Sequence, residues 1–82
     1  MAYYWIKDHK YYRLTTQDNL FGTTDLICSW GTLYSNQGNY KVIHCNSQYE
    51  MDKNIKRISK IRKSRGYILI HTNKASNLLG DF

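Results

Sequence analysis

The sequence predicts an α+β domain, an antiparallel β-sheet of four to five strands with one amphipathic helix packed on one face. Residues 3 to 45 are rich in Tyr, Ile, Val, Thr and Trp, the side chains that suit a pleated surface. From residue 47 onward the apolar positions instead recur at helical spacing. The connections between strand candidates are too short for crossover helices, so neighbouring strands must pair antiparallel. A single amphipathic helix can cover one sheet face, which makes this layout the economical one.

The strand candidates are Tyr3–Ile6, Tyr11–Thr16, Asp25–Trp30 and Tyr40–Cys45. The stretch "QDNLFGTT" separates two of them, with Asn19 and Gly22 supplying turn chemistry, and "TLYSNQGN" does the same with Ser35, Asn36, Gly38 and Asn39. Asp8 and His9 fall at a further turn. Ser47 and Glu50 form a capping box, and Glu50 and Asp52 put negative charge in the first helical turn, where the helix dipole favours it. Met51, Ile55, Ile58 and Ile61 make one apolar stripe, and Gly66 after "RKSR" is a stop signal, so a helix is expected over about 48–64. "YILIH", Tyr67 to His71, reads as a short buried strand. The tail over residues 72–82 is polar until Leu78 and Leu79 and is expected to fray unless those leucines pin it down.

At 82 residues the chain has room for one domain over 1–82 and for no second core. Twelve Lys and Arg against six Asp and Glu give a formal net charge of +6 and a pI near 9.4. That excess favours polyanionic partners, and it also serves solubility. Cys28 and Cys45 are the two cysteines, neither in a CxxC pair nor at a metal-ligand spacing from a histidine. Buried free thiols in a reducing compartment are therefore expected. The start "MAYYWIKDHK" lacks an apolar run long enough for a signal peptide, and no window approaches a membrane span. The expected location is cytoplasmic, or nucleoid-associated in a bacterium.

Seven of the twelve cations lie between Lys53 and Arg65. At about 100° per residue, Lys53, Lys56, Arg57, Lys60 and Lys63 occupy the side of the helix opposite the Met/Ile stripe. No Asp or Glu follows them within the helix, so this face lacks the opposite-charge pairs of an ordinary solvated surface. Arg62 falls inside the stripe, where its stem can lie on apolar surface while the head reaches water. A membrane-surface role is disfavoured, because the stripe has no Trp or Phe and is needed to cover the sheet.

Catalytic signals are lacking. The six acids form no paired motif for general acid–base work. No Ser, Cys or Lys has a nucleophile context, no glycine-rich phosphate loop is present, and His9, His44 and His71 are scattered. No catalytic residue, metal or cofactor is expected, and the reading is a non-enzymatic protein.

"ICSWGTLYSNQGNYKV" places a large aromatic beside a glycine at the mouth of a loop. Leu26, Cys28 and Trp30 share one strand parity, which points the indole toward apolar neighbours if that side is the core. A strand ending in Trp-Gly equally suits a ring offered to a ligand. The series "YYRL", "DNLFG", "SWG", a glycine-bearing loop, a basic helix and "RGY", in that order over roughly Tyr3 to Tyr67, resembles the WGR domain. That module occurs within poly(ADP-ribose) polymerases and as short bacterial proteins. The resemblance implies an antiparallel sheet with a helix on one side, and binding of nucleic acid at DNA ends or breaks. By motif position Trp30 would pack on the sugar of a terminal nucleotide, and Gly31 would let backbone come close. The family's arginine is here Thr32, which offers one hydroxyl in place of a fork of donors.

The leading expectation is thus a DNA-binding module for ends, nicks or single strands, with little sequence specificity. Its contact set is Trp30, Gly31, Thr32 and Lys41 together with the helix cations Lys53, Lys56, Arg57, Lys60 and Lys63. A protein-interaction adaptor and an RNA-binding module are the alternatives; a membrane partner is not expected.

Overall fold

A computed structural model describes residues 2–35 and 37–73, the last of these by its backbone. Five strands and one helix follow one another as β1 (Ala2–Lys7), β2 (Lys10–Asp18), β3 (Thr24–Thr32), β4 (Gly38–Cys45), α1 (Gln48–Ser64) and β5 (Ile68–Asn73). They form one antiparallel sheet in the order β4-β3-β2-β1-β5. The expected fold class holds; β1 to β4 run two or three residues longer than the sequence-read strands, and β5 begins one residue later and ends two later than read.

The alternation along each strand decides which face is buried. Trp5 of β1 lies opposite Tyr12 of β2, which lies opposite Trp30 of β3; Leu14 lies opposite Cys28. This row and its neighbours face the helix. Trp5, Tyr12, Leu14, Leu26, Cys28 and Cys45 from the sheet join Met51, Ile55 and Ile58 from α1 in one buried cluster. Trp5 and Tyr12 meet edge to face at 6.0 Å, and Tyr3 stacks on Trp5 at 5.6 Å. Both cysteines are buried and free.

Local chemistry sets the helix ends. Ser47 caps the N-terminus, its hydroxyl accepting from the Glu50 N–H at 3.2 Å. Glu50 returns the favour one residue early, its carboxylate accepting from the Asn46 N–H at 2.8 Å. At the other end the Gly66 N–H donates to the Lys63 carbonyl and the Tyr67 N–H donates to the Arg62 carbonyl, each at 3.0 Å. That double bond pattern is a Schellman motif, and it needs the left-handed φ of +86° that Gly66 supplies.

One expectation fails. "YILIH" is not buried: β5 is an edge strand, paired with β1 alone, and Ile68, Leu69 and Ile70 are exposed. The cluster under the helix draws on β1 to β4, so the apolar run of β5 covers a margin and not a centre. Thr72 and Asn73, the first residues of the expected tail, pair with Tyr3 and Ala2. The rest of the expected tail, 74–82, lies outside the described residues.

Candidate functional site

Where β2 and β3 run out toward the end of α1, the helix-facing side of the sheet opens into a hollow of about 630 Å³. Lys10, Tyr11 and Tyr12 of β2 line it, with Trp30, Gly31 and Thr32 of β3, Lys41 of β4, Ile61 and Arg62 of α1, and Arg65 and Tyr67 beyond. Four of these residues are cations and none is an acid. Eleven residues drawn from five separate stretches meet here because the antiparallel register sets Lys10 opposite Thr32 and Tyr12 opposite Trp30, while the helix ends over them.

Trp30 is half-buried. One face of its ring lies parallel on Tyr12, with centroids 5.9 Å apart and planes 10° from parallel. The indole is therefore both things the sequence allowed: it packs against the core cluster and still borders the hollow. Stacking on Tyr12 fixes the plane that it offers.

Arg62 lies within the stripe, half-buried, and lines the hollow. Its guanidinium is held by two aromatic rings. It sits over the Tyr12 ring at 4.1 Å and over the Tyr67 ring at 5.0 Å, and its Nε is buried with no hydrogen-bond partner. The cause is local. The Schellman motif folds Tyr67 back over the last helical turn, onto Arg62. The signal was present in the sequence, since at about 100° per residue Arg62 lies about 20° from Met51 around the helix and Ile61 about 80° away. Ile61, expected in the stripe, is exposed at the hollow's edge while Met51, Ile55 and Ile58 are buried.

Tyr12 carries the electrostatic mark of this arrangement. Burial, foremost, and then the hydrogen bond and charge interaction with the Cys28 thiol hold its phenol well above the ordinary tyrosine range. The Arg62 cation over the ring pulls the other way without overcoming them.

Gly31 has a structural reason to be glycine. A Cβ there would stand 3.2 Å from the ring and from the hydroxyl of Tyr11, and 3.3 Å from the Gln37 carbonyl oxygen. At Gly38, directly across in β4, a Cβ would meet the Tyr11 hydroxyl at 2.9 Å. Tyr11 lies across this glycine pair, a packing that the sequence did not disclose.

Of the residues expected to contact a ligand, Trp30, Gly31, Thr32 and Lys41 come together in the hollow. Lys53, Lys56, Arg57, Lys60 and Lys63 are exposed on α1 and none lines it. Lys53 and Arg57 border a different depression with Tyr49, Glu50 and Asn54, and Arg57 donates to the Asn54 side chain at 2.9 Å. Lys10, Arg62 and Arg65 take their place beside Trp30. Among the described residues no group of three or more His, Cys, Asp or Glu side chains is arranged to hold a metal ion, and no helix is long and apolar enough to cross a membrane.

Residues 4–74 match the family model of the WGR domain, which spans nearly the whole chain. Neither the comparison with curated proteins nor that with solved structures gives a match.

Proposed function

The chain belongs to the WGR domain family, a module known from nucleic-acid-binding contexts, and from that premise we propose that it binds DNA at ends or breaks without catalysing a reaction. The observation that carries the reading is the hollow itself: a half-buried indole of fixed plane, ringed by Lys10, Lys41, Arg62 and Arg65 with no carboxylate among them. Phosphates would be held by the cations, and an exposed sugar or base at a strand end would pack on Trp30. A duplex interior keeps its bases stacked and its sugars spaced by the backbone, so a terminal nucleotide suits a recessed ring better.

Thr32 cannot supply a fork of donors, but Arg62 brings one to the same hollow from the helix. Phosphate contacts position a duplex without reading it, so discrimination among sequences should be small. Ring packing of this kind contributes roughly 1–3 kcal/mol per base in single-strand binders. Affinity falls as salt rises, with a log–log slope of about −0.9 per phosphate contacted on duplex.

The test compares blunt, nicked, hairpin-capped and single-stranded DNA of one sequence, with the wild type and Trp30→Ala. End recognition requires that forms with a free end bind best and that the substitution removes this preference. Equal binding of every form by both proteins rejects it.

A further inference from the structure

The connection between β2 and β3 is ordered around one side chain. The Asn19 amide donates to the Thr23 hydroxyl at 2.7 Å and to the Asp25 carboxylate at 3.1 Å, and its oxygen accepts from the Phe21 and Thr23 N–H groups. The Asn19 backbone N–H donates to the Thr23 carbonyl at 3.0 Å, and Gly22 takes a φ of +80° to close the turn. The Thr24 hydroxyl donates to Asp18. This network holds two large apolar side chains away from the protein, Leu20 at 99% and Phe21 at 89% exposure.

Beside them lies a shallow hollow on the sheet face that the helix leaves uncovered. Ile27 of β3 and Val42 of β4, opposite each other in the register, form its apolar floor, and Asp18 and Asp25 lie on its rim. Among the described residues no Lys or Arg lines it. The Asp25 carboxyl is held below the ordinary carboxylate range, chiefly by His44, whose Nδ1 lies 2.8 Å away.

We propose that this tip and the hollow beside it form a two-fold self-association surface, in which Leu20 and Phe21 of each copy pack on Ile27 and Val42 of the other. Knob and floor lie side by side on one patch, which is the self-complementarity an isologous contact requires. The hydrogen-bonded turn pre-organises the knob, so little ordering entropy is lost on contact. Copies carrying +6 repel on average, and they approach with least repulsion through a patch whose described lining has two acids and neither Lys nor Arg. An aromatic side chain buries roughly 150–250 Å². With Leu20, Ile27 and Val42, counted in both copies, the total comes to about 1,000 Å², the size of a weak specific interface.

The geometry gives this surface a consequence. The tip joins the Asp18 and Thr24 ends of β2 and β3, whereas the cationic hollow lies at their Lys10 and Thr32 ends and on the other sheet face. A dimer built here leaves both cationic hollows open, and so presents two polyanion sites to one ligand.

Sedimentation equilibrium from about 10 to about 500 µM, the range suited to an interface near 1,000 Å², tests the proposal without any DNA. The wild type should dimerise, and more strongly as salt is raised, because screening relieves the net repulsion. Phe21→Ser, at a position too exposed to disturb the fold, should weaken the dimer by at least about tenfold, which is 1.4 kcal/mol. Val42→Lys should do the same from the floor, and Arg62→Met, in the other hollow, should not weaken the dimer. A wild type that stays monomeric throughout overturns the proposal. So does a dimer untouched by Phe21→Ser and Val42→Lys, which would move the contact to another surface such as the β5 edge. Neither result bears on DNA binding, since that site lies elsewhere.

Discussion

Replacing Arg62 with Met separates what the guanidinium does for the fold from what it does for a ligand. The two ring contacts, at 4.1 and 5.0 Å, both fall within the reach of cation–π attraction. At a half-buried position they contribute together about 1–3 kcal/mol. Against this stands the buried Nε without a partner, which costs about 1–3 kcal/mol. Methionine has a stem of similar length, no polar atom, and a sulfur that packs well against aromatic rings. The gains and losses nearly cancel, so the unfolding free energy of Arg62→Met should lie within about 1 kcal/mol of wild type. Arg62→Ala, which leaves the space between Tyr12 and Tyr67 unfilled, should lose about 2 kcal/mol. Binding should behave differently. A hydrogen bond to a charged group is worth about 1.5–3 kcal/mol, so Arg62→Met should weaken DNA binding by about 10- to 100-fold. It should also make the salt slope shallower by about 0.9. Urea unfolding gives the first quantity and fluorescence anisotropy over a salt series gives the second. Wild-type affinity and slope in a stable Arg62→Met protein would refute the assignment of Arg62 to the ligand. A loss of more than about 3 kcal/mol in stability would refute the cancellation.

Other outcomes are expected from the same structure. Trp5→Ala empties a site that is 3% exposed and should cost about 3–5 kcal/mol, whereas Trp30→Ala, at a half-buried ring, should cost less stability and more affinity; paired urea melts and binding titrations check both. Gly38→Ala should destabilise by up to about 1 kcal/mol through the Tyr11 hydroxyl, and a double-mutant cycle with Tyr11→Phe should recover most of the loss. Asn19→Ala should cost about 1–2 kcal/mol by freeing the turn it organises, read as a fall in melting temperature. The Tyr12 phenol has its folded-state pKa raised above the unfolded value near 10, so its contribution is complete below that pH and is lost as pH rises beyond it. Stability measured from pH 9 upward should therefore fall more steeply in wild type than in Tyr12→Phe, with both values chosen around the ordinary phenol pKa of about 10.

The fold was legible because its signals are local and consistent. Ser47 and Glu50 mark one end of α1 and Gly66 the other, and the described helix runs between them as expected. Strand order was not legible in the same way. Nothing in "YILIH" says whether it lies at a centre or an edge, since an apolar run of five residues suits both. The candidate site is legible in part. Trp30, Gly31, Thr32 and Lys41 follow from the motif and from the strand pairing next to it. Density of charge along α1 finds the solvent-facing row and not Lys10, which follows the β1–β2 turn, or Arg62 and Arg65, which the C-terminal end of the helix brings to the hollow. Arg62 is the instructive case. Its helical angle puts it beside buried groups, but nothing in the spacing tells that Tyr12 and Tyr67 receive its guanidinium.

The pairing of Ala2 with Asn73 and of Tyr3 with Thr72 has a bearing on how the protein comes into being. β1 is made first and has a neighbour on one side as soon as β2 follows, but its other margin waits until about seventy residues later for β5. Closure of so long a loop is slow relative to helix or hairpin formation. During synthesis, then, the nascent chain carries an unsatisfied strand margin beside Tyr3 and Trp5 until β5 has left the ribosome. A substitution that weakens β5 would be felt less as lost contacts in the finished molecule than as lost yield, through capture of that margin by other chains.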